Sequence, residues 1–410
     1  MARFVSRGRF VKALWLLLAL FSAPVLAAKA APDEAYLAFG ARIAGDNART
    51  RIVVDFDRKP EFFVHYVGNP VRVIVDLPKT AFGFAAGELE PRGLFTDIRY
   101  GAMDEGSARM VLTAKTPVRL AIAEVQADEN GKGFRLVLDA ETVTEQRFAE
   151  LVTSQSWQDQ AADLIERGDR LAQQDAPDPD QFVIAVDAGH GGIDTGAVGA
   201  ETKTEEKNVT LGFAKALAER LNREPGIKAI LTRDKDEFLS LSERVQIARQ
   251  HHANLFVSLH ADTLRQKNIR GATVYTISDT ASDSLAANLA QRENLSDELA
   301  GVKLSDEPAE VADILLDLTR RETQAFSVAM ARSVVRSFEG QVQLINNPHR
   351  YAGFRVLQAP DVPSILLELG FLSNKDDEKL LLDGAWRQKI ADLLAEAARR
   401  YRTPAVSNGG

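Results

Sequence analysis

The sequence predicts an α/β domain with a largely parallel mixed sheet flanked by helices, preceded by a small all-β sandwich. Three observations lead there. Apolar residues alternate with period two through residues 35–140, between recurring prolines. From residue 181 onward, short apolar strands alternate with amphipathic helical stretches, the texture of a sheet with crossover helices. Ahead of both lies a leader that is basic and then apolar. At roughly 150 residues per domain, 410 residues make two to three units, and 45% hydrophobic residues suffice to bury their cores.

Composition narrows the chemistry. The chain holds 50 basic and 58 acidic residues, net −8, so a nucleic-acid partner held by a basic surface is disfavoured. Cysteine is absent, which excludes disulfide scaffolds, thiol nucleophiles and zinc ribbons, and leaves any metal to His, Asp and Glu. Only six histidines are available, at 65, 190, 251, 252, 260 and 349.

Arg3, Arg7, Arg9 and Lys12 precede the apolar run ALWLLLALF at 13–21, and small residues follow at Ala27, Ala28, Ala30 and Ala31. This order describes a signal peptide over residues 1–30. A membrane anchor needs about 20 apolar residues, so the mature form is expected to have no stable membrane span. Removing the leader takes away five basic residues and leaves a chain of net charge about −13.

Within 35–140 the strings RIVVD (51–55), RVIVD (72–76), RMVLT (109–113) and RLVLD (135–139) recur, as four similar strands of a sandwich with related halves would. His65 lies in one strand of this region and reads as a strand histidine rather than a ligand. Residues 141–180 are acidic and end in the breaker-rich DAPDPD, an acidic, partly helical linker.

In the domain expected over 181–403, FVIAVDAGH is a strand ending in a glycine-rich loop. EKNVTLGFAKALAERL is a helix with Val209, Phe213, Leu217 and Leu221 on one face. IKAILTR is a strand and SLSERVQIARQHHA a helix ending in the surface residues His251 and His252. Strands NLFVSLHAD, GATVYTI and VPSILLELGF follow, and the chain closes in a long helix. A second long helix, anchored by Ile314, Leu318, Phe326 and Met330, reads as cover on the sheet.

Functional groups of open α/β sheets gather beyond the carboxyl ends of the strands. His190, His260 and Glu368 each end a strand. A hydrolytic zinc site takes three protein ligands, commonly two His and a carboxylate, and keeps one position open. A further acid, free of the metal, moves the proton. Glu206, at the start of the first helix, and Glu368 fit these two roles and are interchangeable on spacing alone. Asp187 and Asp262 are near enough in sequence to orient the histidine rings. His349 lies in a loop whose place is open.

Four motifs carry a resemblance. VDAGHGGIDTGAVG, TEEKNVTL, LFVSLHAD and PSILLELGFLSN are similar, in order, to the metal and catalytic motifs of the zinc-dependent N-acetylmuramoyl-L-alanine amidases, and the likeness spans about 182–402. Residues 35–140 resemble the AMIN domain, which is associated with cell-wall targeting. The resemblance implies zinc on His190, Glu206 and His260, with the register of EKNVTL selecting Glu206 over Glu205. It also implies Glu368 as general acid/base, peptidoglycan as substrate and a periplasmic location. The competing readings are a zinc peptidase acting within the stem peptide and a noncatalytic wall-binding adaptor.

Between the strands GATVYTI and VPSILLELGF lie residues that this chemistry does not need. The stretch at about 279–308 looks like the regulatory helix of cell-division members of the family, which offers a glutamate to the zinc until a LytM-domain activator displaces it. Glu293 is the leading candidate for that glutamate and Glu298 the second.

Overall fold

A computed structural model describes residues 35–68, 70–104, 106–128, 133–154, 181–301 and 314–407. The expected signal peptide, residues 155–180 of the expected linker and residues 302–308 of the expected regulatory segment lie outside these described residues.

The first domain is a sandwich of two sheets. One has the order β5-β1-β2-β9-β8, where β1 is Tyr36–Gly45, β2 Arg49–Phe56, β5 Thr80–Phe82, β8 Val118–Ala127 and β9 Phe134–Thr142. The other has the order β3-β4-β7-β6, where β3 is Phe63–Val67, β4 Arg72–Pro78, β6 Phe95–Ala102 and β7 Ser107–Ala114. The recurring strings fall in β2, β9, β4 and β7. They form one antiparallel pair inside each sheet, with Arg51 opposite Asp139 and Arg109 opposite Asp76. Alternation then turns Ile52, Val54, Val73, Val75, Met110 and Leu112 into the shared core. A short helix, α1 (Glu145–Thr153), buries Phe148 edge-on to Tyr66, so the stretch read as linker from 141 begins as structure packed on this domain.

The second domain has a six-stranded sheet of order β11-β10-β12-β15-β13-β14. Its strands are β10 Phe182–Ala188, β11 Ile227–Leu231, β12 Leu255–His260, β13 Ala272–Ile277, β14 Leu344–Ala352 and β15 Ser364–Glu368. The first four in spatial order are parallel, β13 runs antiparallel to β15, and β14 is parallel to β13. Every residue of β10, β12 and β15 is buried, which is why these strands read as largely apolar runs without polar alternation.

Helices cover both faces. Ile184, Val186, Ile365 and Leu367 point to α2 (Glu206–Leu221), α6 (Ile314–Phe338) and α8 (Gly384–Ser407). On α2, Val209, Phe213, Leu217 and Leu221 are each at most 3% exposed, and each such burial contributes about 1.5–3 kcal/mol. Met330 of α6 is buried in the same core. Val183, Ala185 and Leu366 face the other way, onto α3 (Leu241–Gln250) and α4 (Ser284–Glu293). A capping box between Ser240 and Glu243 starts α3, and Asp283 caps α4 through the amides of Leu285 and Ala286. A four-residue turn of helix, α5 (Ser296–Leu299), follows α4, and α7 (Lys375–Leu381) follows β15.

The chain leaves β10 for β11 on one side and returns to β12 on the other. This reversal opens a crevice beyond the carboxyl ends of β10 and β12, where His190 and His260 stand.

Candidate metal centre

His190 sits two residues beyond β10 with φ +61, a left-handed conformation that a non-glycine residue holds only under constraint. Gly196 shows why the loop is glycine-rich: a Cβ there would lie 2.6 Å from the His190 ring and 2.7 Å from Oε2 of Glu206. Arg233 and Arg244 hold the loop from below. Arg244 donates to the carbonyls of Ala188 and His190, and Arg233 to those of Ala188 and Gly189. Neither arginine stood out in the sequence, where each reads as an ordinary polar residue beside an apolar segment.

Glu206 is the first residue of α2 and is fully buried. Its Oε1 accepts the amide of Ala261 at 2.7 Å and its Oε2 the amide of Ala197 at 2.8 Å, so two backbone amides fix the carboxylate. Glu205 is the residue before the helix; its side chain is 40% exposed beside Lys207. The burial distinguishes two adjacent acids that spacing alone leaves open.

The groups converge. Oε2 of Glu206 lies 3.2 Å from Nε2 of His190, and Oε1 lies 3.4 Å from Nδ1 of His260. The two rings meet edge to face at 4.9 Å, and one ligand-capable atom from each of His190, Glu206 and His260 lies within 4.8 Å of the others. Nε2 of His190 and Nδ1 of His260 are buried and make no hydrogen bond of acceptable geometry. Buried polar atoms left in this way are costly unless something else satisfies them, and a cation between them does so. Burial opposes charge on both rings, yet Glu206 and Asp194 raise His190 well above its ordinary value, and Glu293 and Glu206 push His260 up to about 10. A divalent ion would take the place of those protons.

Glu368 ends β15 directly beside His260 on β12, in register, and is fully buried. Its Oε2 accepts the amide of Asp262 at 3.0 Å, while Oε1 has no partner. Burial pushes its carboxyl well above the usual range against the pull of His260, and Glu206, Asp262 and Glu293 add to the rise.

The acids expected to orient the rings do other work. Asp187 accepts from Thr232, Ser258 and Arg244 and meets neither histidine, because its strand position points it under the sheet edge. Asp262 pairs with Arg292, and burial, with Glu293 and Glu206, raises it to about 7. The ring partner is Asp194, whose Oδ2 meets Nδ1 of His190 at 2.9 Å. Its signal was an acid four residues after the histidine in a tight glycine loop, close enough to fold back on the ring.

Glu293, the last residue of α4, is 5% exposed; its Oε2 lies 3.1 Å from Nδ1 of His260 and 3.5 Å from Nε2 of His190. The space left beside it is a cavity of about 10 Å³, lined by both histidines, Asn294 and Ser296. Glu298 lies elsewhere, on a groove of about 460 Å³ with Gln291, Leu295 and Arg355. His65 pairs with Asp76 on the first domain, and His349 meets Thr276 between β13 and β14. His251 is the C-terminal cap of α3. Among the described residues, no helix is long and apolar enough to cross a membrane.

Comparison with known proteins identifies the family of both domains. The Amidase_3 family, described as N-acetylmuramoyl-L-alanine amidase, matches residues 184–400, and the AMIN domain matches residues 40–138. The chain is 32% identical over 382 residues to the N-acetylmuramoyl-L-alanine amidase AmiC of Escherichia coli O6:H1, covering 88% of each chain. It is 30% identical over 409 residues to AmiC of Neisseria meningitidis serogroup B, covering 94% of this chain and 95% of that one. With AmiA of Escherichia coli K12 it shares 40% identity over 220 residues, 53% of this chain and 75% of that relative. With the AMIN match, the amidase match and relatives aligned along nearly their whole length, the chain belongs to the N-acetylmuramoyl-L-alanine amidase family, as a member with an AMIN domain ahead of its catalytic domain.

Proposed function

We propose that this enzyme hydrolyses the amide bond between N-acetylmuramic acid and the L-alanine of the peptidoglycan stem, in the periplasm, with zinc held by His190, Glu206 and His260. The observation that carries the reading is the pair of unsatisfied ring nitrogens facing a fixed, buried Glu206 carboxylate. Bound there, zinc would polarise a carbonyl and lower the pKa of water toward about 7. The chain's own residues do the rest. Glu368, with Oε1 free and its pKa raised, takes the proton of the attacking water and delivers it to the leaving amino group of L-alanine. Asp194 holds the proton on Nδ1 of His190, so that Nε2 faces the cation.

Glu293 belongs to this proposal as an inhibitory group. Its carboxylate approaches both ring nitrogens and its segment nearly fills the site, which supports a resting state closed to substrate. A LytM-domain activator that draws away the segment at about 279–308 would open it. Zinc content measured together with digestion of isolated sacculi tests the reading. One equivalent of zinc and chelator-sensitive release of soluble material are expected, whereas stoichiometric zinc without hydrolysis, even after removal of the segment, would leave a wall-binding adaptor.

A further inference from the structure

We infer that the first domain is a clasp on the segment that covers the metal centre, with Arg109 as the group that grips it. This rests on the reading of Glu293 as inhibitory and extends it to the other domain. Alternation along β4 and β7 turns Ile74, Asp76, Arg109 and Val111 away from the sandwich core. These residues do not meet solvent freely: Ile74 is 0%, Val111 1% and Arg109 7% exposed. Arg109 donates through Nε to Asp76 at 2.5 Å and through Nη1 to the carbonyl of Ala300 at 2.8 Å. Ala300 stands seven residues after Glu293, just past α5.

The repeat within the first domain supplies an internal control. Arg51 and Asp139 form the same cross-strand pair on the other sheet, yet the Arg51 side chain is 57% exposed against 8% for Arg109. The difference is the segment and the loops docked on one face. Gly301 follows in a left-handed conformation, φ +77, that favours glycine, and a Cβ there would lie 2.2 Å from Cδ1 of Ile74, whose side chain would have to give way. Val111 joins Ile193, Phe238 and Ala300 in one small apolar cluster. The same edge of the first domain meets the metal loop, where the amide of Ile193 donates to the carbonyl of Ala102 at 3.0 Å.

The segment from Glu293 to Gly301 is therefore fixed at both ends. At its start, Ser296 donates to Asp194 at 2.6 Å and Asn294 binds the Arg355 amide at 2.8 Å. At its end, the hold comes from the other domain. Lifting the whole segment away from the site breaks the Arg109–Ala300 bond together with those of Asn294 and Ser296.

The test uses the zinc-loaded full-length chain without activator, assayed on sacculi, with amide hydrogen exchange read over 293–301. Arg109→Ala is expected to raise basal hydrolysis roughly tenfold, the loss of one charge-assisted hydrogen bond, and to speed exchange in the segment. Arg51→Ala, which removes the exposed counterpart, is expected to change neither. Combining Arg109→Ala with Glu293→Ala should add nothing to Glu293→Ala alone. If Glu293→Ala raises hydrolysis while Arg109→Ala does not, the clasp is wrong and the inhibitory reading stands; if neither does, both fall. An additive double variant also overturns the clasp. Ile74→Ala, which removes the contact with Gly301, decides in the same way should Arg109→Ala fail to fold.

Discussion

Asp194 and His190 form a carboxylate–imidazole pair at 2.9 Å, buried four residues apart in one glycine-rich turn. The carboxylate fixes the tautomer and leaves Nε2 directed at Glu206. Substituting Asp194→Asn is expected to lower zinc affinity about 10- to 100-fold without unfolding the domain. Competition with a chromophoric chelator measures it, and unchanged affinity would remove Asp194 from the site.

Glu368 and His260 should separate under substitution. Glu368→Gln is expected to retain zinc and lose at least about 100-fold in turnover, because it removes only the proposed proton carrier. His260→Ala should lose both zinc and turnover. Metal analysis alongside sacculus digestion distinguishes them, and normal turnover in either variant contradicts the assignment.

Deleting residues 282–307 removes α4 with Glu293, and α5. Basal activity on isolated sacculi is expected to rise, since the site then opens beyond its cavity of about 10 Å³. Unchanged or lost activity in a folded protein counts against inhibition.

Asp187 and Arg244 make a fully buried ion pair at 2.8 Å. Burial works to raise the Asp187 carboxyl, but Arg244, Ser258 and Thr232 hold it below its ordinary value. A carboxyl depressed in the folded state stabilises fully above its unfolded pKa of about 3.9 and loses that contribution as pH falls through the folded value. Breaking such a pair costs about 3–5 kcal/mol, so Asp187→Asn should be less stable by that amount at pH about 7, with the gap narrowing below about 4. Urea melts at both pH values measure the difference, and a gap independent of pH would contradict the linkage.

The positions that carry the site were legible because strand ends are legible. His190, His260 and Glu368 each close an apolar run, and parallel strands bring such ends to one edge. What the sequence hid were partners chosen by folding rather than by spacing. Asp187 lies nearer in sequence to His190 than Asp194 does, but strand alternation turns it toward Arg244 while the glycine turn folds Asp194 onto the ring. Arg233 and Arg244 come from a loop and a helix with no motif of their own. The contact between Arg109 and Ala300 spans 191 residues and two domains, beyond any local pattern. The recurring strings, three of the four running from Arg to Asp, fall in one antiparallel pair of each sheet.

The most direct measurement is mass spectrometry of peptidoglycan digested by the zinc-loaded enzyme, with and without chelator. Intact stem peptides bearing a free N-terminal alanine, released only when zinc is present, are the expected products. Peptides cut within the stem, or the same release in the presence of chelator, would contradict a zinc amidase centred on His190, Glu206, His260 and Glu368.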